Sequence, residues 1–246
     1  MKQEPRLEEQ AISKAVEIGM SSQLDAADKI DVDIHTDLLK MILGCADSVA
    51  IAGKGVVIQK DIRVQEMEVH TDSININPFS AIFGQVELNE PVDANARIVI
   101  TETDLNRALN SDYVLSKARN LKLNVDGRVV TLDMQHMELK LPGSDKMVFT
   151  GKSLLHEAGK TQQLCFTAAS RPRTKQQPVL LEAFQCHEGY SITIEVAVAM
   201  MEKIKELVKL PFFELEGMAI RIEEMEVQAG KITLQVQAHI TQFPTS

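Results

Sequence analysis

One pattern of alternating apolar and polar residues occurs three times along the chain. The three segments are 62–69 (IRVQEMEV), 132–139 (LDMQHMEL) and 220–227 (IRIEEMEV). In each segment two apolar residues alternate with polar ones, two polar residues follow, and the alternation resumes at a methionine. In a strand, the doubled polar step turns the second apolar pair to the opposite face unless a β-bulge absorbs the extra residue. The pattern therefore predicts three bulged, half-buried strands.

A second alternating stretch follows each repeated segment, which predicts that the unit is a hairpin. The apolar positions of these stretches are Ile74 and Ile76, residues 147–149, and residues 232–236. Chance similarity explains the looser middle copy about as well as a true repeat does. It does not easily explain the first and last copies, which are identical at six of eight positions. A separate tight hairpin is predicted at Asp126-Gly127, because this pair favours the two-residue turn.

Three stretches show the spacing of helices instead. Residues 7–24 have one apolar stripe. Residues 103–118 contain two helical stretches, the first at the capping signature that begins with Thr101 and the second after the candidate cap Ser111. Residues 191–209 form the longest stretch, whose first half is apolar on nearly all sides and which ends before Pro211. We expect this helix to be buried on most sides. A shorter helix is predicted after Thr36, which is the candidate for its cap.

Together these elements predict an α+β fold. We expect a long, curved antiparallel sheet with bulged strands to wrap around the long apolar helix, with additional amphipathic helices beside it. The prediction is a single lipid-binding-like domain over residues 1–246, with an N-terminal helix at about 7–24 and a core at about 30–240. If side chains do not fill the tube between sheet and helix, the space would accept a lipid.

Composition and charge narrow the classes of function. The chain of 246 residues has a net charge of −9, which argues against a nucleic-acid partner because phosphate binding needs a basic face. Its three cysteines are widely spaced and lack a C-x-x-C pair, so they indicate a reducing compartment. There is no signal-peptide pattern and no apolar run of eighteen residues. We expect a soluble, cytoplasmic protein, with peripheral contact at the cytosolic face of a membrane as an open alternative.

The sequence shows no catalytic constellation. Gly151-Lys152-Ser153 resembles the end of a phosphate-binding loop but lacks the upstream glycine, and the six histidines are scattered. We therefore expect no enzyme activity, no cofactor and no metal site. Methionine is frequent, at eleven residues, while tryptophan is absent. Methionine adapts to variable apolar partners, as acyl chains are, although an ordinary core also uses it.

At three places the sequence resembles a known family. Residues 98–109 (IVITETDLNRAL) are similar to its strand-into-helix signature, Leu210-Pro211-Phe212 is similar to its C-terminal signature, and residues 49–69 resemble its glycine-containing strand pair. The family is that of the LmeA-like phospholipid-binding proteins. The resemblance covers about residues 10–240. It implies a fold related to the tubular lipid-binding (TULIP) superfamily and a non-enzymatic role in binding phospholipid. Members of this kind are exported, whereas this chain shows no export signal, so the departure concerns location and role more than fold.

Two hypotheses follow, and the sequence leaves both open. In the first, the chain binds a phospholipid or fatty acyl ligand in the tube, for lipid transfer or membrane maintenance. In the second, it is a structural or protein-interaction module whose tube is filled by its own side chains. Neither hypothesis determines an oligomeric state.

Candidate residues can be assigned under the first hypothesis. The residues expected to line the tube are Met67, Met137, Val196, Met200, Met201, Ile204, Leu207 and Met225. Those expected at a portal or a membrane contact are Phe79, Ile82, Phe83, Phe212 and Phe213, although the segment 78–84 would equally suit a short helical turn in the core. Arg171 and Arg173 lie in a basic loop that suits an anionic headgroup or is simply solvated.

Overall fold

Strands dominate the computed structural model of the protein. It describes residues 13, 27–59, 61–77, 87–175, 177–187, 192–209, 213–215 and 217–242. The predicted N-terminal helix lies outside the described residues except for Ser13, which is helical and whose hydroxyl accepts a hydrogen bond from the Ile34 N–H. The predicted sheet-dominated architecture is confirmed.

The elements follow one another along the described chain as alternating strands and a few helices. The strands are β1 (Lys29–His35), β2 (Cys45–Ala46), β3 (Ser48–Gln59), β4 (Ile62–Thr71), β5 (Ile74–Asn75), β6 (Val92–Thr101), β7 (Leu121–Val125), β8 (Arg128–Gly143), β9 (Lys146–Glu157), β10 (Lys160–Arg171), β11 (Leu180–Cys186), β12 (Phe213–Leu215), β13 (Met218–Gln228) and β14 (Lys231–Ile240). The helices are α1 (Leu38–Ile42), α2 (Glu102–Leu109), α3 (Asp112–Lys117) and α4 (Ile194–Lys209).

The strands form three sheets. The largest has the order β1-β3-β4-β6-β14-β13-β12, the second has the order β11-β10-β9-β8-β7, and β2 pairs with β5. The five-stranded sheet is a meander in which each strand pairs with its neighbour in sequence, antiparallel throughout. The larger sheet joins strands that are far apart in sequence.

Two compact units divide the chain. Unit 1 comprises residues 1–100, 212–223 and 233–246, and unit 2 comprises residues 101–211 and 224–232. In unit 1 the alternation of β1 is confirmed, since Ile30, Val32 and Ile34 are buried and the residues between them are exposed. Unit 2 contains the whole five-stranded sheet together with α2, α3 and α4.

All three repeated segments lie within strands, as predicted. In β8 the pairing with β9 shifts by one residue between Met134 and His136, so the predicted bulge is confirmed with Gln135 as its extra residue. In β4 the register with β3 stays constant across Gln65, and the shift lies between Val57 and Gln59 instead. The predicted bulge at this point of β4 is therefore wrong in its pairing with β3, and the unusual backbone lies in β3, where Gly55, with a φ of 60°, is opposite Gln65.

The predicted hairpins are confirmed for two of the three copies. Strand β8 pairs with β9, and β13 lies next to β14. The first copy differs, because β5, which holds Ile74, pairs with β2 rather than with β4. Both edges of β4 are already occupied, one by β3 and the other by β6, so no edge remains for the stretch that follows it.

Local turn and capping predictions agree with the structure. Asp126 and Gly127 both have positive φ, at 49° and 80°, as a tight two-residue hairpin requires. The hydroxyls of Thr101 and Ser111 accept the N–H groups of Asp104 and Val114 and so cap α2 and α3. The short helix α1 is also present, but the predicted cap is wrong by one residue.

The cap of α1 is Asp37 rather than Thr36. The Asp37 carboxylate accepts the Lys40 N–H at 2.9 Å, whereas the Thr36 hydroxyl donates to the Cys45 carbonyl at 2.9 Å. Thr36 is therefore used to fix the end of β1 against β2, and the next residue takes the capping role.

Helix α4 ends at Lys209 as predicted, but its first half, where the side chains are described, is buried on one side only. Val196, Ala199 and Met200 are buried, whereas Ile194 is 79% exposed and Val198 is also exposed. The prediction of burial on most sides is therefore wrong. The buried residues are those spaced three or four positions apart, which lie on one face of the helix. None of the helices in the described part of the chain has the length and hydropathy needed to span a membrane.

Candidate functional site

The largest apolar cluster of unit 2 lies between the five-stranded sheet and α4. We call it the helix-covered layer, and its members are between 0% and 7% exposed. They are Leu123, Val125, Val130, Leu132, Met134, Met137, Leu155, Leu164, Phe166, Val196, Ala199 and Met200. All of these members are apolar. Burial of these aliphatic and aromatic groups is therefore the main contribution to its stability.

The bulge in β8 determines which methionines enter the layer. Leu132 and Met134 precede the bulge and Met137 follows it, and all three are buried. If β8 were regular at this point, Met137 would point to the opposite face of the sheet, because it is three residues after Met134. The helix supplies the opposing wall through Val196, Ala199 and Met200, and α4 packs against β7.

Three phenylalanine rings fill one end of the layer. The Phe166 ring lies 5.9 Å from that of Phe149 and 5.4 Å from that of Phe184, measured between centroids. Gly151 provides the space for this packing, because a Cβ atom there would lie 2.6 Å from Phe166 Cζ and 2.9 Å from Met134 Cε. The layer is therefore tightly filled at this point, with a flexible methionine as one of the filling groups.

Ser153 places a hydroxyl group in this otherwise apolar layer. Its side chain is on the same face of β9 as Gly151 and Leu155, it is 3% exposed, and its cross-strand neighbours are Met134 and Leu164. Among the described residues, Ser153 Oγ has no hydrogen-bond partner.

Side chains of helix α2 and its C-cap form hydrogen bonds with the backbone N–H and carbonyl groups on the edge of β8 that no described strand pairs with beyond the bulge. We call Glu102, Asn106 and Asn110 the side-chain ladder. Asn110 bonds both the N–H and the carbonyl of Met137, at 3.0 and 2.6 Å. Asn106 does the same for Leu139, at 2.7 and 2.8 Å, and Glu102 Oε2 accepts the Leu141 N–H at 2.6 Å.

The side-chain ladder explains the polar positions of the signature in residues 98–109. Its members are spaced four residues apart, so they form one row along the helix. The sequence analysis identified the caps of this helix but missed the ladder. The regular spacing of two asparagines and a glutamate beside an apolar stripe is the pattern that could have revealed it.

The structure brings together three of the eight residues predicted to line a lipid tube. Met137, Val196 and Met200 lie in the helix-covered layer, and Met201 is half-buried beside them in sequence. Met67 belongs to unit 1. Met225 lies in unit 2, where its N–H donates to the Arg173 carbonyl at 2.8 Å. The side chains of Ile204 and Leu207 are outside the described part.

The predicted portal residues are largely outside the described part of the chain. This holds for Phe79, Ile82, Phe83 and Phe212, and of Phe213 only the backbone is described, which pairs with Ile220 in β12 and β13. An exposed apolar group that the sequence analysis missed lies elsewhere in unit 1. Leu39, Ile42 and Leu43, on α1 and the turn after it, are 64% to 75% exposed.

The two arginines predicted to bind a headgroup already interact with other groups. Arg171 Nε donates to Glu182 Oε1 at 2.5 Å, and this hydrogen bond raises the pKa of Arg171. Arg173 is half-buried in the loop after β10. A headgroup at Arg171 would therefore have to share its guanidinium with Glu182.

Neither metal nor thiol chemistry is indicated in the described residues. They contain no group of three or more His, Cys, Asp or Glu side chains placed to hold a metal ion. Cys45, Cys165 and Cys186 are free thiols, and burial raises the pKa of Cys186. A raised pKa lowers the thiolate fraction and hence the reactivity of this residue.

A family model described as LmeA-like phospholipid-binding matches residues 5–237. No curated protein and no solved structure matches the chain. The matched range includes the signature in residues 98–109, the side-chain ladder and the whole helix-covered layer. The chain therefore belongs to the LmeA-like phospholipid-binding family.

Proposed function

We propose that this protein binds a phospholipid or another acyl lipid in the helix-covered layer of unit 2, without catalysing a reaction. The observation that carries the proposal is the family match over residues 5–237. The layer is the part of unit 2 whose chemistry suits an acyl chain, since it is apolar on both walls and includes Met134, Met137 and Met200. Unbranched methionine side chains can change rotamer and make room for a ligand at lower cost than branched residues.

Binding in the helix-covered layer requires that the layer open to admit an acyl chain. Because the members of the layer are nearly fully buried by one another, an acyl chain enters only if α4 and the sheet separate locally or if methionine side chains move. The first half of α4 is suited to such a displacement, because Val196, Ala199 and Met200 are buried along a single stripe whereas Ile194 and Val198 on the other side are exposed. A relation to the TULIP fold and a role in lipid transfer belong to this proposal as well.

A specific observation favours the second candidate function, a structural or protein-interaction module. The described side chains already fill the layer to an exposure of 7% or less. If the layer is filled permanently, the protein has no acyl ligand, and its acidic surface is available for a protein partner.

The first experiment is native mass spectrometry with lipid extraction on protein purified without detergent. A stoichiometric phospholipid or other acyl species is the expected result, and extraction identifies it. Protein that is empty and also takes up no fluorescent phospholipid from vesicles would overturn the proposal in favour of the interaction module.

A pair of tryptophan substitutions on α4 then locates the site. Met200→Trp adds bulk inside the layer, and Val198→Trp adds the same group to the exposed face of the same helix. We expect Met200→Trp to reduce lipid retention, while Val198→Trp retains lipid at the level of the unmodified protein. If the layer binds no lipid, Met200→Trp only destabilises the protein, by about 1–3 kcal/mol from overpacking, and retention is equal in both variants.

A further inference from the structure

The hydroxyl of Ser153 is in a setting where a partner is needed. Strand β9 lies between β8 and β10 and pairs with both, so the neighbouring backbone N–H and carbonyl groups belong to the two ladders. The side chain points into the helix-covered layer, where its cross-strand neighbours are Met134 and Leu164. Among the described residues, Ser153 Oγ has no hydrogen-bond partner.

A buried hydroxyl without a partner is unusual in a folded protein. Its transfer from water costs free energy that is not recovered, and the large majority of buried polar groups are therefore hydrogen-bonded. An alanine or a valine would fill this position of β9 without that cost. The presence of a serine points to a partner that the folded chain itself does not supply.

The surroundings of Ser153 restrict the chemistry of this partner. The cross-strand neighbours of Ser153 are Met134 and Leu164, and the members of the layer are apolar, so an ionised phosphate group beside Ser153 would be strongly disfavoured. A neutral acceptor suits the site better, because a serine hydroxyl can donate one hydrogen bond. In an acyl lipid the groups of this kind are the ester carbonyls, which are joined directly to the apolar chains.

Resting on the lipid binding proposed above, we propose that Ser153 donates a hydrogen bond to an ester carbonyl oxygen of the bound lipid. This bond anchors the lipid at the junction between its acyl chain and its polar part. Met134 is the residue of β8 directly across from Ser153, and its flexible side chain moves to admit the carbonyl. The acyl chain then lies along the layer towards Met137 and Met200.

The test compares two phosphatidylcholines of equal chain length, one with ester-linked and one with ether-linked chains. The ether lipid lacks the carbonyl groups but keeps the headgroup and the hydrocarbon. Binding of each is measured by tryptophan-independent means, such as titration with a fluorescent lipid competitor, on the full chain. The variants are Ser153→Ala and, as a matched control, Ser170→Ala, a half-buried serine of β10 outside the layer.

The expected result is selective. Ser153→Ala weakens binding of the ester lipid by about 2- to 12-fold, the range that one neutral hydrogen bond supplies, and leaves binding of the ether lipid unchanged. Ser170→Ala changes neither. A lipid labelled with ¹³C at the ester carbonyl gives a second readout, because its stretching band moves to lower wavenumber on binding and does so less in Ser153→Ala.

Other outcomes separate this inference from the proposed function. If both lipids bind and Ser153→Ala affects them equally or not at all, the anchor at Ser153 is overturned while lipid binding stands. If neither lipid binds the unmodified protein, the proposed function itself fails. Ser153→Ala is expected to fold, because it removes an unpaired hydroxyl from the layer, and its unfolding curve in urea without lipid checks this.

Discussion

At the scale of single residues, Asn106 performs a task that is usually left to a strand. Its side-chain amide donates to the Leu139 carbonyl and accepts the Leu139 N–H, so it copies the two bonds of a paired strand residue. The Asn106 side-chain nitrogen also donates a hydrogen bond to the Glu102 carbonyl within the helix, at 2.8 Å. One side chain thereby fixes α2 and its C-cap against the edge of β8.

Asn106→Ala is therefore expected to destabilise the protein by about 1–3 kcal/mol, because it leaves both polar backbone groups of Leu139 without their partner. Urea unfolding followed by circular dichroism measures the change. Thr103→Ala is the matched control on the exposed side of the same helix, and we expect it to have little effect. Equal stability of the two variants would show that water replaces the amide at no cost.

Gly151 is a second residue whose role is steric. A methyl group added there meets the tip of Phe166 and the methyl group of Met134. We expect Gly151→Ala to cost about 1–3 kcal/mol of unfolding free energy through overpacking. In a Phe166→Leu background the same substitution should cost clearly less, because the obstructing ring is gone. Additive effects of the two substitutions in urea unfolding would contradict this account.

At the scale of elements, the bulge in β8 separates two modes of edge pairing. Before it, Leu132 pairs with Leu121 of β7. Beyond it, the same edge is satisfied by the side-chain ladder from Met137 to Leu141. A bulge bends its strand and increases its twist, which suits a point where the neighbour changes from a strand to a helix.

Deleting Gln135 should leave a folded protein, because Met134, His136 and Met137 would then alternate as in a regular strand. The pairing with β9 is kept, and the expected cost of about 1–3 kcal/mol comes from weakened bonds to the side-chain ladder. Deleting Glu138 is the matched control, since it turns every residue on one side of the deletion to the wrong face. Circular dichroism and urea unfolding should show cooperative unfolding for the first variant and loss of folding for the second.

The first turn of α4 makes the stability of the protein depend on pH. Glu195 accepts hydrogen bonds from its own N–H and from the Thr193 hydroxyl, and these hold its pKa below the ordinary value. A lowered pKa contributes stability that is present above the ordinary glutamate pKa and is lost as the pH falls through the folded-state value. Glu195→Gln should therefore lower the melting temperature slightly at about pH 7, and this difference should shrink as the pH falls below the ordinary glutamate pKa. A difference that persists at the lower pH would mean that the carboxylate charge is not the cause.

Local sequence predicted several elements that depend on neighbouring residues, although the cap of α1 and the bulge in β4 were wrong. The caps at Thr101 and Ser111, the Asp126-Gly127 turn and the bulge at Gln135 each follow from a few adjacent side chains. The partner of β4 could not be predicted in this way, because it depends on which edge a distant strand occupies. The one-sided burial of α4 was missed for a similar reason, since apolar composition does not say how many surfaces surround a helix.

The hydroxyl of Ser153 shows the same limit of local pattern at the candidate site. In the sequence, Leu154 and Leu155 are the apolar residues after it, and nothing there indicates that Ser153 and Leu155 face the layer together. Only the register with β8 and β10 places the serine between Met134 and Leu164. The repeated position of Met67, Met137 and Met225 was visible in the sequence, but of these three only Met137 lies in the layer.

At the scale of the whole molecule, charge determines how the protein would approach a lipid surface under the proposed function. The net charge is −9, and Arg171 of the basic loop is paired with Glu182. Long-range repulsion from an anionic membrane is therefore expected to outweigh attraction by this loop. Lipid uptake should be faster from zwitterionic vesicles than from vesicles that contain anionic phospholipid.

The dependence of lipid uptake on salt concentration tests whether this repulsion is present. Raising the ionic strength from about 0.01 M to about 0.15 M shortens the Debye length from roughly 30 Å to roughly 8 Å, which screens charges on the two surfaces. We expect uptake from anionic vesicles to increase with salt and uptake from zwitterionic vesicles to change little. Arg171→Ala should behave like the unmodified protein in this assay. Uptake from anionic vesicles that decreases with salt, and that is lost in Arg171→Ala, would instead identify the basic loop as a headgroup site.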